Sequence, residues 1–170
     1  GDGVSLYQET GPSDVPVTSP ITKDDAIIER IQRCLADNRL ILLFQPIISL
    51  RGDTDEHYEV FARMPGDVDD AMVAAEQFIP QALRAGLGNA VDRWVVLQSI
   101  KLLSVHRAKG HDTRLTINLT VESFADPEFL PWLSVAIRAA RMPADALIFQ
   151  ITEPDATAHL KQAKDFTRGI

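Results

Sequence analysis

The sequence predicts an α/β fold with mainly parallel strand pairing. Three observations carry that prediction. Short apolar runs rich in β-branched residues alternate with longer stretches whose apolar residues recur at helical spacing; glycines and prolines punctuate the joins; and the crossovers are long enough to hold a helix. An open doubly wound sheet and a closed barrel both satisfy this pattern. No glycine-rich phosphate fingerprint follows a strand, which weighs against the dinucleotide-fold version.

The elements follow in order. Residues 1–9 alternate Val4 and Leu6 with polar neighbours, as a terminal strand would, and a strand so short belongs to something upstream. Residues 11–20 hold three prolines and no period, so they read as a linker. Thr22 stands where it can cap a helix with Asp24 and Asp25 in its first turn. Ile27, Ile28, Ile31, Cys34 and Leu35 fall on one face of that helix, which ends near Asn38. Residues 40–50 are strongly apolar and strand-forming, but Pro46 removes a ladder donor and marks an interrupted or edge-like strand. Gly52 and Asp53 turn the chain, and residues 57–64 return as a second strand. Helical spacing fills 71–87 and 89–108, with Gly86, Gly88 and Gly110 as stop signals. A strand over 114–120, a helix over 126–141 closed by Met142-Pro143, a strand over 147–153 and the start of a helix over 155–169 complete the series.

Composition narrows the function classes. With 45% hydrophobic and 24% charged residues the chain can build a core, and no apolar run approaches the ~20 residues of a membrane span, so a cytoplasmic protein is expected. The formal charge of −7 is the wrong sign for wrapping a long nucleic acid. A small anion stays within reach, because one arginine and a bound metal can reverse the field inside a cleft. Cys34 is the single cysteine and reads as a small buried hydrophobe. The four histidines lack the spacing of a zinc site.

Polar side chains inside apolar strands are the informative positions. Over 57–64, Glu59, Phe61 and Arg63 share one face and Val60, Ala62 and Met64 the other. Glu59 and Arg63 must therefore be ion-paired, metal-bound or open to a cavity. Asn118 and Glu153 repeat the theme in the next two strands. Each alone could satisfy a loop or cap a helix. Together, Glu59, Asn118 and Glu153 offer hard oxygen ligands from successive strands, as α/β barrels do at their carboxyl ends, and such ligands suit Mg²⁺, Mn²⁺ or Ca²⁺. Arg63 could fork onto a phosphate held there.

Six segments stand in one order from residue 43 to residue 153: Leu43-Phe44-Gln45-Pro46-Ile47-Ile48, Glu59-Val60-Phe61-Ala62-Arg63, Phe78-Ile79-Pro80, Val91-Asp92-Arg93-Trp94-Val95, Ile117-Asn118-Leu119-Thr120 and Ile151-Thr152-Glu153. They resemble the EAL family, cyclic-di-GMP phosphodiesterases and their inactive relatives, which are modified TIM barrels. The resemblance implies that residues 21–170 are roughly the first half of such a barrel. It implies that Glu59, Asn118 and Glu153 are ligands for Mg²⁺ or Mn²⁺, that Gln45, Glu59 and Arg63 contact cyclic-di-GMP, and that Asp92 lies near a guanine.

The signature Glu-Ala-Leu-Leu-Arg is altered at Val60, Phe61 and Ala62, and Gln150 and Pro154 replace the family's usual glutamate and serine. The family's later Asp-Asp pair and lysine would follow Ile170. These departures imply a receptor that binds the dinucleotide without efficient hydrolysis; metal-dependent conversion to pGpG by the full-length protein is the alternative. Residues 1–7 resemble the closing strand of a GGDEF domain, so 1–20 are expected to be the end of an upstream GGDEF-like domain plus linker. The degenerate tandem members of the family that this pattern resembles serve type IV pilus assembly and twitching motility, which implies a PilZ-domain partner. A homodimer, or a second chain completing the barrel, is left open.

Overall fold

The computed structural model describes residues 23–50, 56–66 and 72–151. Helix α1 (Lys23–Ala36) leads into strand β1 (Ile41–Pro46), followed by β2 (His57–Met64), the two-residue β3 (Val73–Ala74), α2 (Ala75–Arg84) and α3 (Gly88–Ala108). Then come β4 (Arg114–Leu119), α4 (Val121–Ala125), α5 (Phe129–Ala139) and β5 (Leu147–Ile151). The expected terminal strand, the linker, Glu153 and the helix over 155–169 lie outside the described residues.

The sheet order is β1-β2-β4-β5, with β3 paired to the end of β2. β2, β4 and β5 are parallel, as the helical crossovers require. β1 is antiparallel to β2, Ile41 opposite Arg63 and Pro46 opposite Tyr58. Pro46 thus sits at the end of an outermost strand, where its missing N–H breaks no interior ladder.

Two elements depart from the sequence expectation for local reasons. Val73 and Ala74 pair with Met64 and Arg63, so the segment expected to be helical from 71 first adds to β2 and turns helical only at Ala75. The five-residue α4, over residues to which the sequence assigns no element, is too short to display a helical period. Asp126 also delays α5: its carboxylate accepts from the Glu128 N–H at 2.9 Å, a turn that competes with helix over the residues expected to begin it.

Period two decides which face of each strand is covered. Val60, Ala62 and Met64 in β2 and Leu115, Ile117 and Leu119 in β4 are buried, and they join one core with Phe78, Val91, Val95 and Val96 of the helices. The opposite face carries Glu59, Phe61, Arg63 and Asn118, all half-buried. Ile41, Leu43 and Ile148 share that second face by register and stay 36–37% exposed. Helices therefore cover one side of a sheet whose other side is open and mixed in character. Cys34 is buried in α1, and burial pushes its thiol pKa up, as befits a packing residue.

Ile117 is fully buried at the centre of the covered face. Ile117→Ala is expected to lower the unfolding free energy by about 2–5 kcal/mol. Urea unfolding of the full-length protein measures this, and a loss under about 1 kcal/mol would contradict the placement of the core.

Candidate functional site

The open face gathers residues that are far apart in sequence. Gln45 of β1 stands directly opposite Glu59 of β2 in the antiparallel register, and Glu59 pairs in turn with Thr116 of β4. Cross-strand neighbours of this kind have side chains about 5 Å apart. One step further along β4, Asn118 reaches back, and its Nδ2 donates to Glu59 Oε2 at 2.8 Å. Gln150 of β5 is the register partner of Asn118, so its side chain shares the face. Lower on the same face, His57 Nε2 and Thr116 Oγ1 are 2.7 Å apart, which ties the strands together beneath the carboxylate.

Arg63 lies four residues along β2 from Glu59. At about 3.3 Å per residue this separates their backbones by roughly 13 Å, and the two side chains do not turn towards each other. Among the described residues no salt bridge joins them. The Arg63 guanidinium instead donates from Nη1 to the Ala62 carbonyl at 3.0 Å and lies 5.9 Å from the centre of the Phe61 ring. The result is a cation and an aromatic ring displayed together on the open face.

Asp92 occupies the other side of the sheet. It is 3% exposed, in the second turn of α3, and its Oδ2 accepts from Thr120 N–H at 2.8 Å, Thr120 Oγ1 at 2.7 Å and Ser123 Oγ at 2.6 Å. Burial pushes its carboxyl up to about 6, against the downward pull of those donors. Thr120 precedes α4 as its N-cap residue, yet its side chain makes no cap bond because the hydroxyl is engaged by Asp92.

The start of α3 grips the same turn elsewhere. Asn89 N–H donates to Glu122 Oε2, and Asn89 Nδ2 donates to Asp126 Oδ2. Arg93 bridges Asn89 and Asp126, with its guanidinium 4.9 Å from the centre of the Trp132 ring. Gly88 permits the approach, since a Cβ there would lie 3.0 Å from Thr120 Oγ1 and 2.8 Å from Leu83 Cδ2.

Of the residues that sequence singled out, Gln45, Glu59, Arg63 and Asn118 thus share one face, Asp92 braces it from behind, and Glu153 lies outside the described residues. Thr120, Ser123 and Gly88 were missed as contributors. The only sequence signal for them was a threonine at a strand end with a serine three residues on. Gln150, read as drift, turns out to be part of the face.

A model of the EAL domain matches residues 28–170. The chain belongs to the EAL domain family. The crystal structure of the FimX EAL domain from Pseudomonas aeruginosa bound to c-di-GMP superimposes with a TM-score of 0.77 at 48% identity, covering 84% of this chain and 57% of that one. The FimX EAL domain of Xanthomonas citri in complex with c-diGMP gives 0.76 at 25% identity, covering 86% and 56%. Cyclic di-GMP phosphodiesterase PdeF of Escherichia coli (strain K12) is 32% identical over 139 residues, 82% of this chain and 18% of PdeF. The chain therefore spans little more than half the length of the FimX EAL domains. The five strands are part of a modified TIM barrel, and the open face that carries Glu59 is its interior side.

The Asp92 carboxyl has a signed consequence. Its pKa is about 6 in the fold and 3.8 in the unfolded chain, so the stability linked to its proton is complete below about pH 3.8 and is lost as pH rises through 6. Asp92→Asn cannot titrate and lacks that slope. Between about pH 4 and pH 7 the wild type should lose roughly 1–3 kcal/mol relative to Asp92→Asn. Urea midpoints measured across that range check it, and parallel pH profiles would refute it.

Proposed function

We propose that this EAL domain is a cyclic-di-GMP receptor rather than an efficient phosphodiesterase. The observation that carries the reading is the Glu59–Asn118 hydrogen bond on the open face, with Gln45 beside it. Asn118 turns its amide nitrogen to the carboxylate, so the pair satisfies itself instead of aiming two oxygens at one point. Gln45, Asn118 and Gln150 are neutral amides on the face of the Glu59 carboxylate, and Arg63 adds a cation further along β2. Such a face suits hydrogen bonding to a guanine edge and a phosphate; two-metal hydrolysis asks for a denser set of carboxylates. Identity of 48% to an EAL domain whose structure contains c-di-GMP supports the ligand.

Gln45, Glu59 and Arg63 are the proposed ligand contacts, and Asp92, expected near a guanine, lies behind them on the helix side of the sheet. Glu59, Asn118 and Glu153 are the residues that would hold Mg²⁺ or Mn²⁺. Glu59 and the Asn118 amide fit a hard cation once that amide turns its oxygen inward. A bound cation would polarise a phosphoryl oxygen and acidify a water. The adjacency of Glu59 and Asn118 also favours a second reading, a metal-dependent phosphodiesterase releasing pGpG, in line with the name of the PdeF relative. In the receptor reading the domain follows a GGDEF-like domain, works in the cytoplasm, and passes occupancy to a PilZ-domain protein in type IV pilus assembly. A homodimer is the proposed alternative arrangement for relaying it.

Calorimetric titration of the full-length protein with cyclic-di-GMP tests the reading. Saturable binding that persists in EDTA is expected, weakened about tenfold or more by Arg63→Ala through loss of charge-assisted contacts. No heat at tens of micromolar ligand would end the proposal. Sustained release of pGpG with Mg²⁺ or Mn²⁺, abolished by Glu59→Gln, would replace it with the enzyme.

A further inference from the structure

We propose that Asp92 is a positioning residue of the dinucleotide site: from the helix side of the sheet it fixes the exit of β4 and, through it, the Asn118 amide against Glu59. The inference rests on the receptor reading for its ligand, but its geometry is independent of that reading. The β2–β4 ladder ends at the pair Val60–Ile117, one residue before Asn118. Beyond that pair the exit of β4 has no partner in β2. On the other side, Asn118 pairs with Gln150 and Leu119 with Ile151 of β5.

Asp92 takes over where the ladder stops. Two residues beyond Asn118, the backbone N–H and the hydroxyl of Thr120 both donate to its Oδ2, and Ser123 adds a third donor from α4. A single buried oxygen therefore fixes both the direction in which β4 ends and the first turn of the next helix. Gly88 lets α3 come close enough for this, and the Asn89–Glu122 bond holds the same turn from the helix start. Asp92, Asn118 and Thr120 all line one cavity of about 140 Å³, together with Ile79 and Leu83 of α2. Direct contact of Asp92 with a base fits poorly, because the group is 3% exposed and its Oδ2 already takes three donors.

A double-mutant cycle on cyclic-di-GMP affinity in the full-length protein separates positioning from general support. Asp92→Asn should weaken binding about tenfold in the wild-type background and less than about twofold once Asn118→Ala is present, because the two act as one unit. Losses that multiply independently would overturn the proposal, and would equally exclude action through Asn118 if Asp92 touched the ligand itself. Without ligand, the side-chain amide signals of Asn118 in a ¹⁵N spectrum, assigned by their absence in Asn118→Ala, give a second readout. They should leave their Glu59-bonded position in Asp92→Asn and return only with the carboxylate; unmoved signals would also overturn it. If Asp92→Asn does not fold, Thr120→Val removes one donor and is judged by the same two measurements. If the wild type binds no cyclic-di-GMP, the receptor reading fails while the amide signals still decide the role of Asp92.

Discussion

Pairing of β2 with β4, residues 57–60 against 114–117, is the constraint on which the molecule depends. It joins segments more than fifty residues apart and sets which side chains look at the helices. A slip of one residue would turn Val60 and Ile117 outward and bury Glu59 and Asn118 among apolar groups. The apolar face thus enforces the register, and the register assembles the site. The core and the candidate site are on opposite faces of the same ladder, so neither can drift without the other.

Polar chemistry is distributed accordingly. On the open face the Glu59–Asn118 bond and the Arg63–Phe61 pair are half-buried, where groups can exchange protein partners for a ligand at modest cost. Behind the sheet, Asp92 is almost wholly buried, and removing its carboxylate would leave the buried Thr120 and Ser123 donors without their acceptor. The rigid network lies behind the site and the adaptable one faces it, an arrangement that fits a binding surface held to shape by its scaffold.

The open face also explains the mixed character of the exposed residues. Ile41, Leu43 and Ile148 sit on the same side as Gln45 and Glu59, and in a barrel that side is interior. By register Ile41 is level with Arg63, Leu43 with Phe61 and Gln45 with Glu59, so apolar and polar side chains are interleaved along this face. Amides outnumber carboxylates on this face among the described residues: Gln45, Asn118 and Gln150 against Glu59.

Much of this was legible in the sequence because its causes are local. Period two in 57–64 separated Glu59 and Arg63 from Val60 and Met64, and helical spacing located α1, α2 and α3 within a few residues. Glu59, Asn118, Gln45 and Arg63 stood out because polar groups in apolar strands need a reason. What sequence left open was decided by contacts between distant segments. Arg63 turned to the Ala62 carbonyl and the Phe61 ring rather than to Glu59, and pairing with β2 took Val73 and Ala74 out of a helix. The inward turn of Asp92 belongs to this class too, because Thr120 and Ser123 meet it only once α3 has packed across β4, and no periodicity within a single element encodes that encounter.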